Sequence, residues 1–118
     1  MRRLIIFMTF WAAPFSLSAQ AMPALDCESV NGNWFLGLYG PVARLRSPEV
    51  KVFSAAPPLR PQGSDWPVYI LLSHTDQKLT VRLEEHSCSS SGDLFPIQAE
   101  ILDPSTNTIN LACCTVVE

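Results

Sequence analysis

Glycine occurs five times and histidine twice in this chain of 118 residues. No Gly-rich loop of the kind that cradles a phosphate is present. Basic residues are scarce as well: eight Lys and Arg face eleven Asp and Glu, for a net charge of −3. Nucleic acid rewards clustered Lys and Arg, so it is not an expected partner. The chain is long enough for one domain and too short for two. No apolar run reaches the roughly 20 residues that a helical membrane span needs, and helical periodicity is almost absent after residue 21.

What the sequence holds in its first 21 residues reads as a removable export signal. Met1-Arg2-Arg3 is a short basic start, Leu4 to Phe15 is apolar, and Ala19-Gln20-Ala21 gives the small-x-small pattern of a cleavage site. Arg2 and Arg3 leave with it, so six basic side chains then face eleven acidic ones, a net of −5 over 97 residues. The expected organisation is a signal peptide over 1–21 and a single β domain over 22–118. Localisation is expected to be periplasmic or secreted, with no transmembrane span in the mature form.

Cys27, Cys88, Cys113 and Cys114 all lie beyond the signal. An even count in a short exported chain argues for disulfides. A bond between the neighbours Cys113 and Cys114 is disfavoured, so Cys27 and Cys88 each take one of them. Alternation along Ile109, Leu111 and Cys113 puts Cys113 on the inward face and Cys114 outward. A bond crossing the core takes Cys113, and one pinning the N-terminal arm takes Cys114. That leans to Cys88–Cys113 with Cys27–Cys114 and leaves the exact pairing open. Closing loops of these lengths contributes roughly 3.5 and 4.6 kcal/mol in the chain-entropy picture. The rival reading is a copper or zinc site built from His86, Cys88 and the other thiolates. Its spacing matches no zinc finger, and an oxidising compartment removes the thiolates.

Short β-rich runs broken by turn residues fill the rest. Trp34 to Tyr39, Val42 to Arg46 and Glu49 to Ser54 are runs separated by Gly40-Pro41 and Ser47-Pro48. Val50 and Val52 share a face. Ala55 to Trp66 holds three prolines and reads as a surface loop. Val68 to Ser73 is apolar on both faces and reads as a central strand. Lys78 to Glu84 alternates cleanly, with Leu79, Val81 and Leu83 together, and forms a hairpin with the run before it. Ser87 to Asp93 reads as a small polar loop. Ile97, Ala99 and Ile101 alternate, and Thr108 to Val117 supplies a last strand. Any helix is a short turn near Pro23 to Val30. The expected fold is all-β: a small antiparallel barrel or sandwich of six or seven short, disulfide-bonded strands.

Cys88-Ser89-Ser90-Ser91-Gly92-Asp93, the pair Phe95-Pro96 and the terminal Cys113-Cys114 resemble a family of small bacterial envelope proteins. That family carries a C-S-D-G-M-type loop, a Y-P pair and a terminal G-C-C, after an N-terminal cysteine and a G-N-E-P-F-W-type motif. Cys27 and Gly32-Asn33-Trp34-Phe35 are similar to that first half, without its Glu-Pro, and Ala112 stands where glycine precedes the cysteines. The resemblance covers most of residues 27–114. It implies an all-β exported domain and carries over no catalytic residue.

Catalytic constellations are thin. His74 with Asp76 falls on a hairpin turn, His86 neighbours a cysteine expected in a disulfide, and Glu84 and Glu85 point to opposite faces of a strand. Arg44 and Arg46 share a face that reads either as an ordinary solvated face or as a basic stripe for an anionic lipid or glycan. Trp34, Phe35 and Tyr39 form either a ligand platform or core. In the proline-rich loop, Arg60 and Trp66 are residue types enriched at interfaces and are candidate partner-binding residues, the other reading being a plain connection between strands with Trp66 in the core. The expected function is a non-enzymatic envelope binding domain without a cofactor, its partner a protein, glycan or lipid.

Overall fold

The computed structural model describes residues 22–117, so the export signal expected over 1–21 and residue Glu118 lie outside the described residues. The described residues run through ten strands: β1 (Leu25–Ser29), β2 (Phe35–Tyr39), β3 (Val42–Arg46), β4 (Val50–Ala55), β5 (Val68–His74), β6 (Gln77–Glu84), β7 (Cys88–Ser90), β8 (Asp93–Phe95), β9 (Ile97–Asp103) and β10 (Thr108–Val116). Eight close a barrel in the order β1-β10-β9-β6-β5-β4-β3-β2, and β7 with β8 forms a separate two-stranded sheet. All pairings are antiparallel, and β1 closes the barrel on β10. No helix among the described residues is long and apolar enough to cross a membrane.

The fold is all-β and disulfide-bonded, but it is a closed eight-stranded barrel and not six or seven strands. One unexpected strand supplies the eighth barrel strand, and a second segment supplies the separate two-stranded sheet. Leu25 to Ser29, expected near a short helical turn, is a strand whose inward side chains are Leu25, Cys27 and Ser29. Only one of the three is aliphatic, so the period of two is hard to see. Ser87 to Asp93, expected as a loop, holds β7 and the start of β8. Ser91 and Gly92 join them with φ of 52° and 84°. Two left-handed residues between paired strands are what a tight hairpin turn requires.

The sequence leaves the inward face of β4 open, and β10 faces the other way from expectation. Val50 and Val52 do share a face, but it is the outer one, and Phe53 enters the core. The single larger side chain outweighs the two valines, and its partner Ala43 is fully buried. On β10, Ile109, Leu111 and Cys113 share a face that also points outward, with Ile109 61% exposed. The inward phase is fixed by Ala112 opposite Ala99 and Cys114 opposite Cys27.

The barrel interior is filled by Leu25, Leu36, Phe53, Val68, Leu72, Val81 and Leu83 with smaller neighbours, as expected for eight strands. Cys27 and Cys114, directly opposite on β1 and β10 with Cα atoms 4.0 Å apart, form one disulfide inside the barrel. Cys88 and Cys113 form the other, which ties the β7–β8 hairpin to the outer face of β10. The hairpin is held further by Ser90, whose buried Oγ donates to the Ser29 carbonyl at 2.9 Å. At its tip, Ser91 Oγ donates to Glu28 at 3.0 Å. The proline-rich segment is not wholly a loop, because Leu59 exchanges two backbone hydrogen bonds with Tyr69 of β5.

Candidate functional site

Alternation and register build a groove on the outside of β1, β2 and β3. Antiparallel partners share a face, so outward residues line up across the strands. One row reads Thr115, Asp26, Gly37, Arg44, Val52. The next reads Cys113, Glu28, Phe35, Arg46, Val50. β1 therefore presents two carboxylates and β3 two guanidiniums. The banks lie two strand spacings apart, about 10 Å. The floor is Phe35, Gly37 and Tyr39. Phe95 of the hairpin and Val50 of β4 close the sides of a cavity of about 390 Å³.

Gly37 is needed in this floor. A Cβ there would overlap the Tyr39 ring, which lies across the glycine. That position lets the Tyr39 hydroxyl donate to Asp26 Oδ1 at 2.7 Å. Asp26 holds the Tyr39 pKa above its ordinary value, first by accepting this hydrogen bond and then, after partial burial, by its charge. Arg44 opposes the shift from the other bank. Arg46 lies over the Phe35 ring, 4.8 Å from its centre, a cation–π contact that restrains the guanidinium. Among the described residues no ion pair joins Arg44 or Arg46 to a carboxylate.

The Phe35 and Tyr39 side chains are thus exposed on the groove floor, while Trp34 packs against the core. Arg44 and Arg46 share the outer face of β3. Each group is a local pair along the sequence. The register that places them together, with Asp26 and Glu28 opposite, was not readable along the chain.

Arg60 and Trp66 come together elsewhere. Both line a cavity of about 550 Å³ at one end of the barrel, together with Met22, Pro23, Asp65 and Glu85. Beside it, Leu25, Leu38, Ile70 and the prolines Pro41, Pro57 and Pro58 line an apolar cleft of about 280 Å³. Trp66 is partly buried against the core.

His86 and Cys88 do not assemble as a ligand pair. Cys88 Sγ is bonded to Cys113, and His86 Nδ1 lies 2.8 Å from the Ser87 carbonyl oxygen. Among the described residues no three His, Cys, Asp or Glu side chains gather as metal ligands. His74 Nδ1 lies 2.8 Å from the Val52 carbonyl oxygen. Each imidazole thus has a backbone oxygen, not a carboxylate, at Nδ1, which is not the arrangement of a general base oriented by an acid. Glu84 is occupied by Arg82 at 2.7 Å.

No family model matches the chain, and no curated protein and no solved structure matches it.

Proposed function

We propose that the protein is an exported binding module of the cell envelope, periplasmic or secreted, that recognises its partner without catalysing a reaction. The observation that carries this reading is the outer groove. It collects two guanidiniums, two carboxylates and two aromatic rings on one sheet face while the barrel interior is packed. Binding pockets combine apolar surface with a few convergent polar groups in this way. The two disulfides are compatible with an oxidising compartment. The signal-like start and the resemblance to small bacterial envelope proteins support the same location.

The test is retention of envelope material on the purified exported protein, with the extract separated into protein, glycan and lipid fractions. One fraction is expected to be retained and to be lost with the double change Arg44→Ala and Arg46→Ala. Arg60→Ala serves as the comparison, because Arg60 and Trp66 form the second candidate surface at the barrel end. Retention lost only with Arg60→Ala moves the site there. No retention of any fraction overturns the reading. The metal-handling alternative, copper or zinc on His86 and Cys88, requires reduced thiols. A maleimide count on native protein decides it, with reactive Cys88 the result in its favour.

A further inference from the structure

We infer that the outer groove binds an acidic saccharide, with a sugar carboxylate held between Arg44 and Arg46. The inference rests on the binding-module reading and names the ligand class of that groove. Arg44 and Arg46 are two residues apart on one face of β3, about 7 Å from Cα to Cα. Both guanidiniums therefore reach one carboxylate, and charge-assisted bonds of this kind are the strong ones. Arg46 is already restrained by the Phe35 ring, so part of its ordering cost is met before binding.

The floor supplies the second requirement. A sugar ring has an apolar face of C–H groups that packs on an aromatic ring. Tyr39 offers such a ring, laid across Gly37, while the Phe35 ring is already covered by Arg46. The far bank supplies the third. Asp26 and Glu28 are carboxylates that accept hydrogen bonds and donate none. Sugar hydroxyls are donors, so a ligand with its acid on the β3 side and its hydroxyls on the β1 side matches both banks. The reverse orientation sets like charges together.

The two banks also separate this ligand from an anionic membrane. A flat anionic surface meets both banks at once, and two carboxylates cancel the attraction of two guanidiniums. A concave groove of about 390 Å³ instead falls in the range of small-ligand sites.

The experiment is calorimetric titration of the exported protein with a galacturonic acid disaccharide and with its methyl ester, which has the same ring but no charge. The acid is expected to bind at least about tenfold more tightly than the ester, the discrimination of a charge-assisted contact. Arg44→Met with Arg46→Met is expected to bring the acid down to the level of the ester, with an unchanged circular dichroism spectrum. Arg82→Met on the far wall is expected to leave both unchanged. Equal binding of acid and ester, no binding of the acid, or binding that survives the double change overturns the inference. Capture by phosphatidylglycerol vesicles in place of the acid sugar overturns it in favour of a membrane. If the acid sugar fails while an envelope fraction is still retained through Arg44 and Arg46, the ligand class falls and the binding module stands.

Discussion

Arg82 and Arg44 both stand on the outside of the barrel. Their strands β6 and β3 belong to different walls, and β2, the groove floor, lies diametrically opposite β6 in the ring of eight. On the β5–β6–β9 wall one outward row reads Tyr69, Arg82, Glu100, Leu111. Arg82 reaches Glu84 at 2.7 Å and Glu100 at 3.5 Å. Its pKa is raised, first by a hydrogen bond with Tyr69 and then by Glu84. On the groove wall the cations and anions are separated by β2, so they stay about 10 Å apart. The same residue types are therefore spent among neighbours on one wall and held available on the other. What differs is the residue between them: adjacent strands bring Arg82 and Glu100 together, while Gly37 intervenes between Arg44 and Asp26.

The largest effect expected from breaking this contrast comes from the disulfides beneath and beside the groove. Cys27 lies between Asp26 and Glu28, so its bond to Cys114 fixes the acidic bank from inside. The bond spans 87 residues and the Cys88–Cys113 bond spans 25. Cys27→Ala with Cys114→Ala is expected to destabilise by roughly 4 kcal/mol, and Cys88→Ala with Cys113→Ala by roughly 3 kcal/mol. Urea unfolding monitored by tryptophan fluorescence measures both. The second pair is also expected to loosen the hairpin and Phe95, leaving the Arg82 wall intact. An equal loss of protection from hydrogen exchange on both walls would show that the hairpin is not a local clamp.

How far the chain announces this contrast depends on what each strand buries. β6 and β9 read plainly, because Leu79, Val81, Leu83 and Ile97, Ala99, Ile101 alternate with polar residues and all six are buried. β1 did not, because Cys27 and Ser29 occupy inward positions that aliphatic residues hold elsewhere. Ser29 fills its place by accepting from the Asn33 and Trp34 backbone N–H groups at 2.8 and 3.2 Å. β4 alternates without showing which face is inward, and on β10 the alternating apolar set lies outside. A period of two fixes which residues go together, and only the neighbouring strand fixes which set is inside. The groove depended on that step. Arg44 with Arg46, and Phe35 with Tyr39, are local pairs visible in the sequence. Their meeting with Asp26 and Glu28 is a product of register across three strands.

A smaller effect sharpens the comparison directly. Arg82→Met removes two ion pairs that are partly exposed, so the melting temperature is expected to fall by on the order of 3 °C. Arg44→Met gives up no ion pair and is expected to stay within about 1 °C of the parent. Differential scanning calorimetry in low and in 1 M salt checks both, and the Arg82→Met difference is expected to shrink at high salt. If Arg44→Met destabilises as much as Arg82→Met, the groove guanidiniums are structural and the contrast between the walls is lost.

The smallest effect concerns whether the two banks sense each other across the floor. The Tyr39 hydroxyl donates to Asp26, which is possible only while the phenol keeps its proton. Its pKa is raised by that bond, then by burial and by the Asp26 charge, and lowered by Arg44. A group with a raised folded pKa contributes stability that is fully present below its unfolded value. The contribution is lost as pH rises through the folded value. The loss therefore belongs to the alkaline limb, above the ordinary tyrosine value of about 10. Tyr39 and Tyr69 are the two tyrosines of the chain, so Tyr69→Phe isolates the phenolate signal of Tyr39 in an ultraviolet titration. In that background Asp26→Asn is expected to move the midpoint back down toward 10, since the charge and the better acceptor are gone. Arg44→Met is expected to move it further up, because the cation that favours the phenolate has been removed. Opposite movements from two residues on opposite banks mean that both act on the ring between them. A midpoint that ignores Arg44→Met means that solvent screens the β3 bank from the floor, and an anion held there would not feel Tyr39 or Asp26.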